Sequence, residues 1–196
     1  MEQVQHIPSL NQEQLNELTK KYPNLTVLPQ NLVSLPLSII KNKDCNIKDF
    51  RYHSNRVIRL TIEQALAVQD QQTVTDQQTP LARYDAQILN QEGKFVSILI
   101  MRSANAFMPE LMNVIPDIEF GCILVQRDEN SKDKAPVFYY EKYPKNLKEK
   151  SILICDPMLA TGGSVVKTEL KTSLNNSQIQ KLFVLELNLF QQIQNI

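Results

Sequence analysis

Ser151-Ile-Leu-Ile-Cys-Asp-Pro-Met-Leu-Ala-Thr-Gly-Gly-Ser-Val-Val166 is the stretch that decides the fold. An apolar run ends in an acid, Asp156. A loop of small residues follows, and then a helical pattern begins. The order predicts a strand, a phosphate-binding turn and a helix N-terminus. The chain holds 4 glycines, and two of them, Gly162 and Gly163, stand in this loop. Glycine lets backbone N–H groups approach an anion with no Cβ in the way. Consecutive N–H groups and the helix dipole then hold a phosphate. Thr161 and Ser164 add hydroxyl donors. Asp156, at the carboxyl end of the strand, is placed to accept hydrogen bonds from ribose hydroxyls. Open α/β sheets bind their ligands at that edge. The alternative is an ordinary strand-to-helix turn. No Gly-Lys-Ser/Thr follows, which excludes a Walker A loop, and the spacing is not that of a dinucleotide fingerprint.

The rest of the chain sets bounds on class. Its 196 residues, 42% hydrophobic, suffice for one domain with a sizeable core. Twenty-one basic and 21 acidic residues cancel, so no basic face is implied and nucleic acid is not expected as a partner. Three widely spaced cysteines, Cys45, Cys122 and Cys155, suggest neither a disulfide framework nor a metal site. Cys122 and Cys155 lie in apolar runs and read as small buried residues. No apolar segment approaches the ~18 residues of a membrane span, and no signal-peptide core is visible at the N-terminus. A reducing, cytoplasmic setting is the expectation, with an organellar or complex-bound one left open. Stretches rich in Gln, such as Gln69 to Gln78, read as solvated surface.

Periodicity orders the elements. Asn11 to Lys21 reads as a helix, with Asn11 as cap and Gln14 at the capping-box position. Asn24 to Ile40 reads as extended and Pro-punctuated. Ile47 to Gln69 gives the longest helical pattern, with Phe50, Val57, Leu60, Ile62 and Leu66 as its apolar stripe and Arg59–Glu63 as an i,i+4 pair. Gln71 to Gln87 is polar and reads as a loop or flap. Phe95 to Met101 reads as a strand covered on both faces. A helix over Phe107 to Val114, strands over Gly121 to Val125, Val137 to Tyr140 and Lys181 to Leu189, and a helix over Val165 to Leu174 complete the order. Tyr139 and Tyr140 are assigned to core or subunit contacts. Alternating strands and helices predict an α/β fold with a mostly parallel central sheet flanked by helices. The expected organisation is an N-terminal helical extension over residues 1–27 and a single domain over 28–196.

Asp-Pro-Met-Leu-Ala-Thr-Gly-Gly-Ser at 156–164 resembles the phosphoribosyl-pyrophosphate (PRPP) loop of type I phosphoribosyltransferases, in the form found in uracil phosphoribosyltransferases. Pro157 stands where many type I enzymes carry a second acid, as it does in the uracil branch. Four further strings match the eukaryotic branch in order: Arg56-Val-Ile-Arg59-Leu60, Ile98-Leu-Ile-Met-Arg102-Ser103, Ile123-Leu-Val-Gln126-Arg127-Asp128-Glu129, and Tyr140-Glu141-Lys142 with Pro144. The resemblance implies a phosphoribosyltransferase fold that joins uracil to PRPP, giving UMP and pyrophosphate. It implies that Asp156, Pro157, Met158, Leu159, Ala160, Thr161, Gly162, Gly163 and Ser164 hold ribose and 5′-phosphate. Arg102 and Arg127 match its pyrophosphate-contacting arginines, and with Asp156 they form the catalytic set. A guanidinium suits that role because it stays charged and binds phosphate oxygens in pairs. A surface salt bridge is the alternative for each arginine. Mg²⁺ is implied with PRPP, and no protein metal ligand is assigned. PRPP or a nucleoside monophosphate is the expected ligand. The resemblance also implies a homo-oligomer, with a hetero-complex as the alternative.

Three departures from the family pattern point towards weak turnover. Ala104 replaces a glycine after Arg102-Ser103, and a positive φ there would make alanine costly. Lys41 and Ile47 replace the arginine and threonine of a Leu-Arg-Asp-x-x-Thr string. The family's Pro-Gly-x-Gly-Asp segment, which reads the pyrimidine edge, is expected to be missing before Ile196. A catalytically inactive relative, acting as a structural or nucleotide-sensing subunit, is therefore the second expectation.

Overall fold

The protein is described by a computed structural model covering residues 11–69, 71–89, 95–127, 136–145, 147, 150–157, 165–166, 168, 172 and 181–186. Helices α1 (Gln12–Lys21), α2 (Gln30–Ile40) and α3 (Ile47–Ala67) come first. A hairpin of β1 (Gln71–Gln78) and β2 (Arg83–Leu89) follows. Then come β3 (Phe95–Met101), a 3₁₀ turn over Ser103–Phe107, α4 (Met108–Val114), β4 (Glu119–Arg127), β5 (Pro136–Lys142), β6 (Ser151–Asp156) and β7 (Lys181–Glu186).

The central sheet has the order β5-β4-β3-β6-β7. β3, β4, β6 and β7 run parallel, and β5 pairs antiparallel with β4. This is the expected mostly parallel α/β sheet. β3 and β6 sit inside it and, apart from Ser97, Ser151 and Asp156, are apolar because both their faces are covered. Phe95 and Leu99 of β3, with Leu153 and Cys155 of β6, face a cluster containing Val57, Ile58 and Ile62 of α3 and Leu111 of α4. Val96, Ile98, Ile100, Ile152 and Ile154 face the opposite cluster, with Ile123, Leu147 and Val165. Each such side chain, fully buried, contributes about 1.5–3 kcal/mol. The two clusters are what hold four parallel strand ends at one edge.

The capping box of α1 forms as the sequence predicts: Asn11 Oδ1 accepts from Gln14 N at 2.8 Å, and Gln14 Oε1 accepts from Asn11 N at 2.9 Å. Five expectations need correction. Residues 30–40 are helical, although Pro36 lies inside and an interior proline costs roughly 3 kcal/mol. Val33, Pro36 and Ile40 form a buried face, with Leu37 packed against the core, and that burial offsets the loss. Residues 71–89 are a hairpin rather than a loop. Its turn is held by Thr79, whose N donates to Ala82 O at 2.8 Å and whose Oγ1 accepts from Ala82 N at 2.9 Å. Polar alternation was invisible because nearly every residue of both strands is exposed. Tyr139 and Tyr140 are exposed at 59% and 53%, so neither lies in the core. Phe50 is exposed because the buried stripe of α3 runs through Val57, Ile58, Ile62 and Ala65 instead, and Cys122 of β4 is half-buried rather than buried.

Candidate active site

Parallel pairing delivers the candidate site residues to the same sheet edge. β6 and β3 pair with Leu99 opposite Cys155, so Asp156 comes level with Ile100. Arg102 follows β3 directly and is exposed. β3 and β4 pair with Met101 opposite Leu124, so Arg127 ends its strand two residues beyond the level of Arg102. That offset is about 7 Å at ~3.3 Å per residue. The three residues therefore occupy the ends of three adjacent strands, with Arg102 in the middle. The peptide between Met101 and Arg102 is cis. Asp156 and Pro157 are half-buried. Met158, Leu159, Ala160, Thr161, Gly162, Gly163 and Ser164 lie outside the described residues. Val165, Val166, Thr168 and Thr172 are helical, which agrees with a helix following the loop.

The turn after Arg102 answers the question raised by Ala104. Asp76 is the only non-glycine residue with positive φ among the described residues, so Ala104 does not sit in the left-handed region. Ala104 is wholly buried in the 3₁₀ turn, packed with Phe107 and Leu111. Alanine is thus accommodated without backbone strain.

Cys155 lies one residue before Asp156, on the opposite face of the strand. Burial pushes its thiol up to about 12; the hydrogen bond with Ser97 lowers it and the Asp156 charge raises it further. Ser97 Oγ stands 3.4 Å from its Sγ. A thiol held neutral in this way is neither a nucleophile nor a metal ligand at neutral pH. Among the described residues, no three His, Cys, Asp or Glu side chains converge as a metal cage.

Sequence reading overlooked two acids. Glu186 of β7 comes level with Asp156 in the β6–β7 register, at the same edge. Its position followed only from strand pairing. Glu110 of α4 is buried, and Arg59 Nη1 lies 3.9 Å from its Oε2. A polar residue within a short apolar helix was the only available signal.

A parallel-rich sheet flanked by helices, with an acid and two arginines at its carboxyl edge, is the architecture of a phosphoribosyltransferase-type domain. A solved structure from Aquifex aeolicus shares the fold, with TM-score 0.62 and 20% identity, covering 82% of this chain and 86% of that one. The family model for uracil phosphoribosyltransferase matches residues 27–191. The chain is 34% identical to the uracil phosphoribosyltransferase of Saccharomyces cerevisiae, over 76% of this chain and 67% of that protein. It is 31% identical to uracil phosphoribosyltransferase 1 of Schizosaccharomyces pombe, over 85% and 75% respectively. The match to the Dictyostelium discoideum enzyme is 35% identical, over 74% and 67%. The chain belongs to the uracil phosphoribosyltransferase family. Members of this class use PRPP, generally with Mg²⁺. No helix among the described residues is long and apolar enough to cross a membrane.

Proposed function

We propose that this chain binds PRPP at the carboxyl edge of its sheet and transfers the phosphoribosyl group to uracil. A bond forms between uracil N1 and ribose C1′. The bond from C1′ to the pyrophosphate oxygen breaks, the N1 proton is lost, and UMP and pyrophosphate leave. Positive charge grows on the ribose and negative charge on the leaving group, so positioning and electrostatics carry the catalysis. Asp156 holds the ribose hydroxyls and the 157–164 loop holds the 5′-phosphate. Arg102 and Arg127 take the pyrophosphate. Mg²⁺ enters chelated by PRPP, as part of the substrate. The observation that carries this reading is the convergence of Asp156, Arg102 and Arg127 at three adjacent strand ends.

The second reading is PRPP or nucleotide binding without turnover, as a sensing or structural subunit. Lys41, standing where the family pattern has an arginine, keeps the charge and loses the bidentate fork, which favours it. Titration calorimetry with Mg²⁺–PRPP and a radiolabelled uracil assay separate the two. Saturable PRPP binding that Asp156→Asn abolishes, together with UMP formation, supports transfer. Binding without UMP supports the second reading. PRPP heat unchanged by Asp156→Asn overturns the assigned site.

A further inference from the structure

Glu110 is buried, which is uncommon for a charged side chain. It sits on α4, eight residues after Arg102. The segment between them is short and fixed: Ala104, Phe107 and Leu111 are all fully buried against α3 and the sheet. Moving α4 therefore moves Arg102. The apolar contacts of α4 pack it closely against α3 and the sheet. The ion pair from Glu110 Oε2 to Arg59 Nη1, at 3.9 Å, adds a charge contact between α4 and α3 to that packing. Arg59 also reaches Glu63 on its own helix, Nε to Oε1 at 3.9 Å. Glu63 and Arg59 are half-exposed, whereas the Glu110 side chain is only 11% exposed.

A carboxylate in such a place is costly to desolvate, and an apolar residue of similar size is often as stable or more so. With Glu110 buried and Arg59 half-exposed, the pair contributes placement of α4 more readily than net stability. We propose that the Arg59–Glu110 pair positions the turn that carries Arg102, and so sets the grip on the pyrophosphate end of PRPP. Neither side chain touches the substrate in this scheme; both are positioning residues. The inference rests on the reading of Arg102 as a pyrophosphate contact.

The test uses the whole chain and two ligands that differ by the pyrophosphate: Mg²⁺–PRPP and ribose 5-phosphate. Titration calorimetry on the unaltered protein comes first, and PRPP is expected to bind more tightly. Glu110→Gln, of the same shape without the charge, is expected to weaken PRPP about tenfold and leave ribose 5-phosphate unchanged; tenfold is about 1.4 kcal/mol. Arg59→Gln is expected to do the same, the double variant to lose no more than either single one, and Arg59→Lys to recover part of the loss. Equal weakening of both ligands, or no change in either, overturns the inference while leaving the Arg102 assignment in place. Unaltered protein that binds the two ligands equally overturns that assignment, and the inference with it. If Glu110→Gln fails to fold, Arg59→Gln on the half-exposed partner decides by the same criteria.

Discussion

Gly121→Ala is expected to destabilise the protein, although in a strand alanine usually gains over glycine. A Cβ at this position would lie 2.6 Å from Ile98 Cδ1, 2.8 Å from the Lys142 carbonyl oxygen and 3.2 Å from Pro144 Cδ. The replacement restricts the unfolded chain, a gain of about 0.4–1 kcal/mol. Against that, overpacking a tight interior costs about 1–3 kcal/mol. Relief is limited on both sides. Ile98 is wholly buried, and the Lys142 oxygen belongs to the backbone of β5, paired with Cys122 next to the glycine. The clash wins, leaving a net loss of roughly 1–2 kcal/mol, or some 2–8 °C in melting temperature at about 2–4 °C per kcal/mol for a chain of this size. Calorimetric melting of the two proteins measures it. Adding Ile98→Val removes the Cδ1 contact but not the contact with the Lys142 oxygen, so the double variant should fall short of additive loss without recovering the original stability. A melting temperature equal to or above that of the unaltered protein would refute the packing argument.

Four further outcomes are expected. Cys155, held neutral well above the ordinary thiol range, should resist iodoacetamide in the native state, while half-buried Cys45 and Cys122 react and Cys155 labels only on unfolding. Its folded pKa lies above the unfolded value of 9.0, so the folded state binds the extra proton between about pH 9 and 12. Stability from this group is complete below pH 9 and falls as pH rises to about 12; urea titrations should show a shallower decline in Cys155→Ala. Arg102→Lys keeps the charge and loses the fork, so PRPP should weaken with ribose 5-phosphate unaffected, and equal loss of both would remove Arg102 from the pyrophosphate role. Leu153→Ala, in the middle of β6, should cost about 2–5 kcal/mol in denaturant unfolding, and a loss below 1 kcal/mol would contradict its placement in the core.

The parallel sheet was legible because β3 and β6 are buried on both faces, and continuous apolar runs bounded by Ser, Asp and Arg announce that situation. The order of glycines and hydroxyls at 156–164 motivated the phosphate-binding expectation, and residues 158–164 lie outside the described ones. α2 was not legible, because local proline content argues against a helix while the burial that rescues it comes from α3, distant in sequence. The hairpin was hidden too, for a strand without a buried face carries no alternation. Glu110 and Glu186 entered only through packing and register, which no single stretch of residues encodes.

The β1–β2 ribbon is exposed over nearly its whole length and forms a sheet of its own, with Leu81 at its turn 98% exposed. Two strands without a shared apolar face are marginal in water. Its ladder should therefore open and close without waiting for the domain to unfold. Amide hydrogens of residues 71–89 would exchange with solvent ahead of those in β3 and β6. A protease acting at the Thr79–Ala82 turn would then leave the five-stranded sheet standing, so the ribbon is the place to nick, tag or extend this protein.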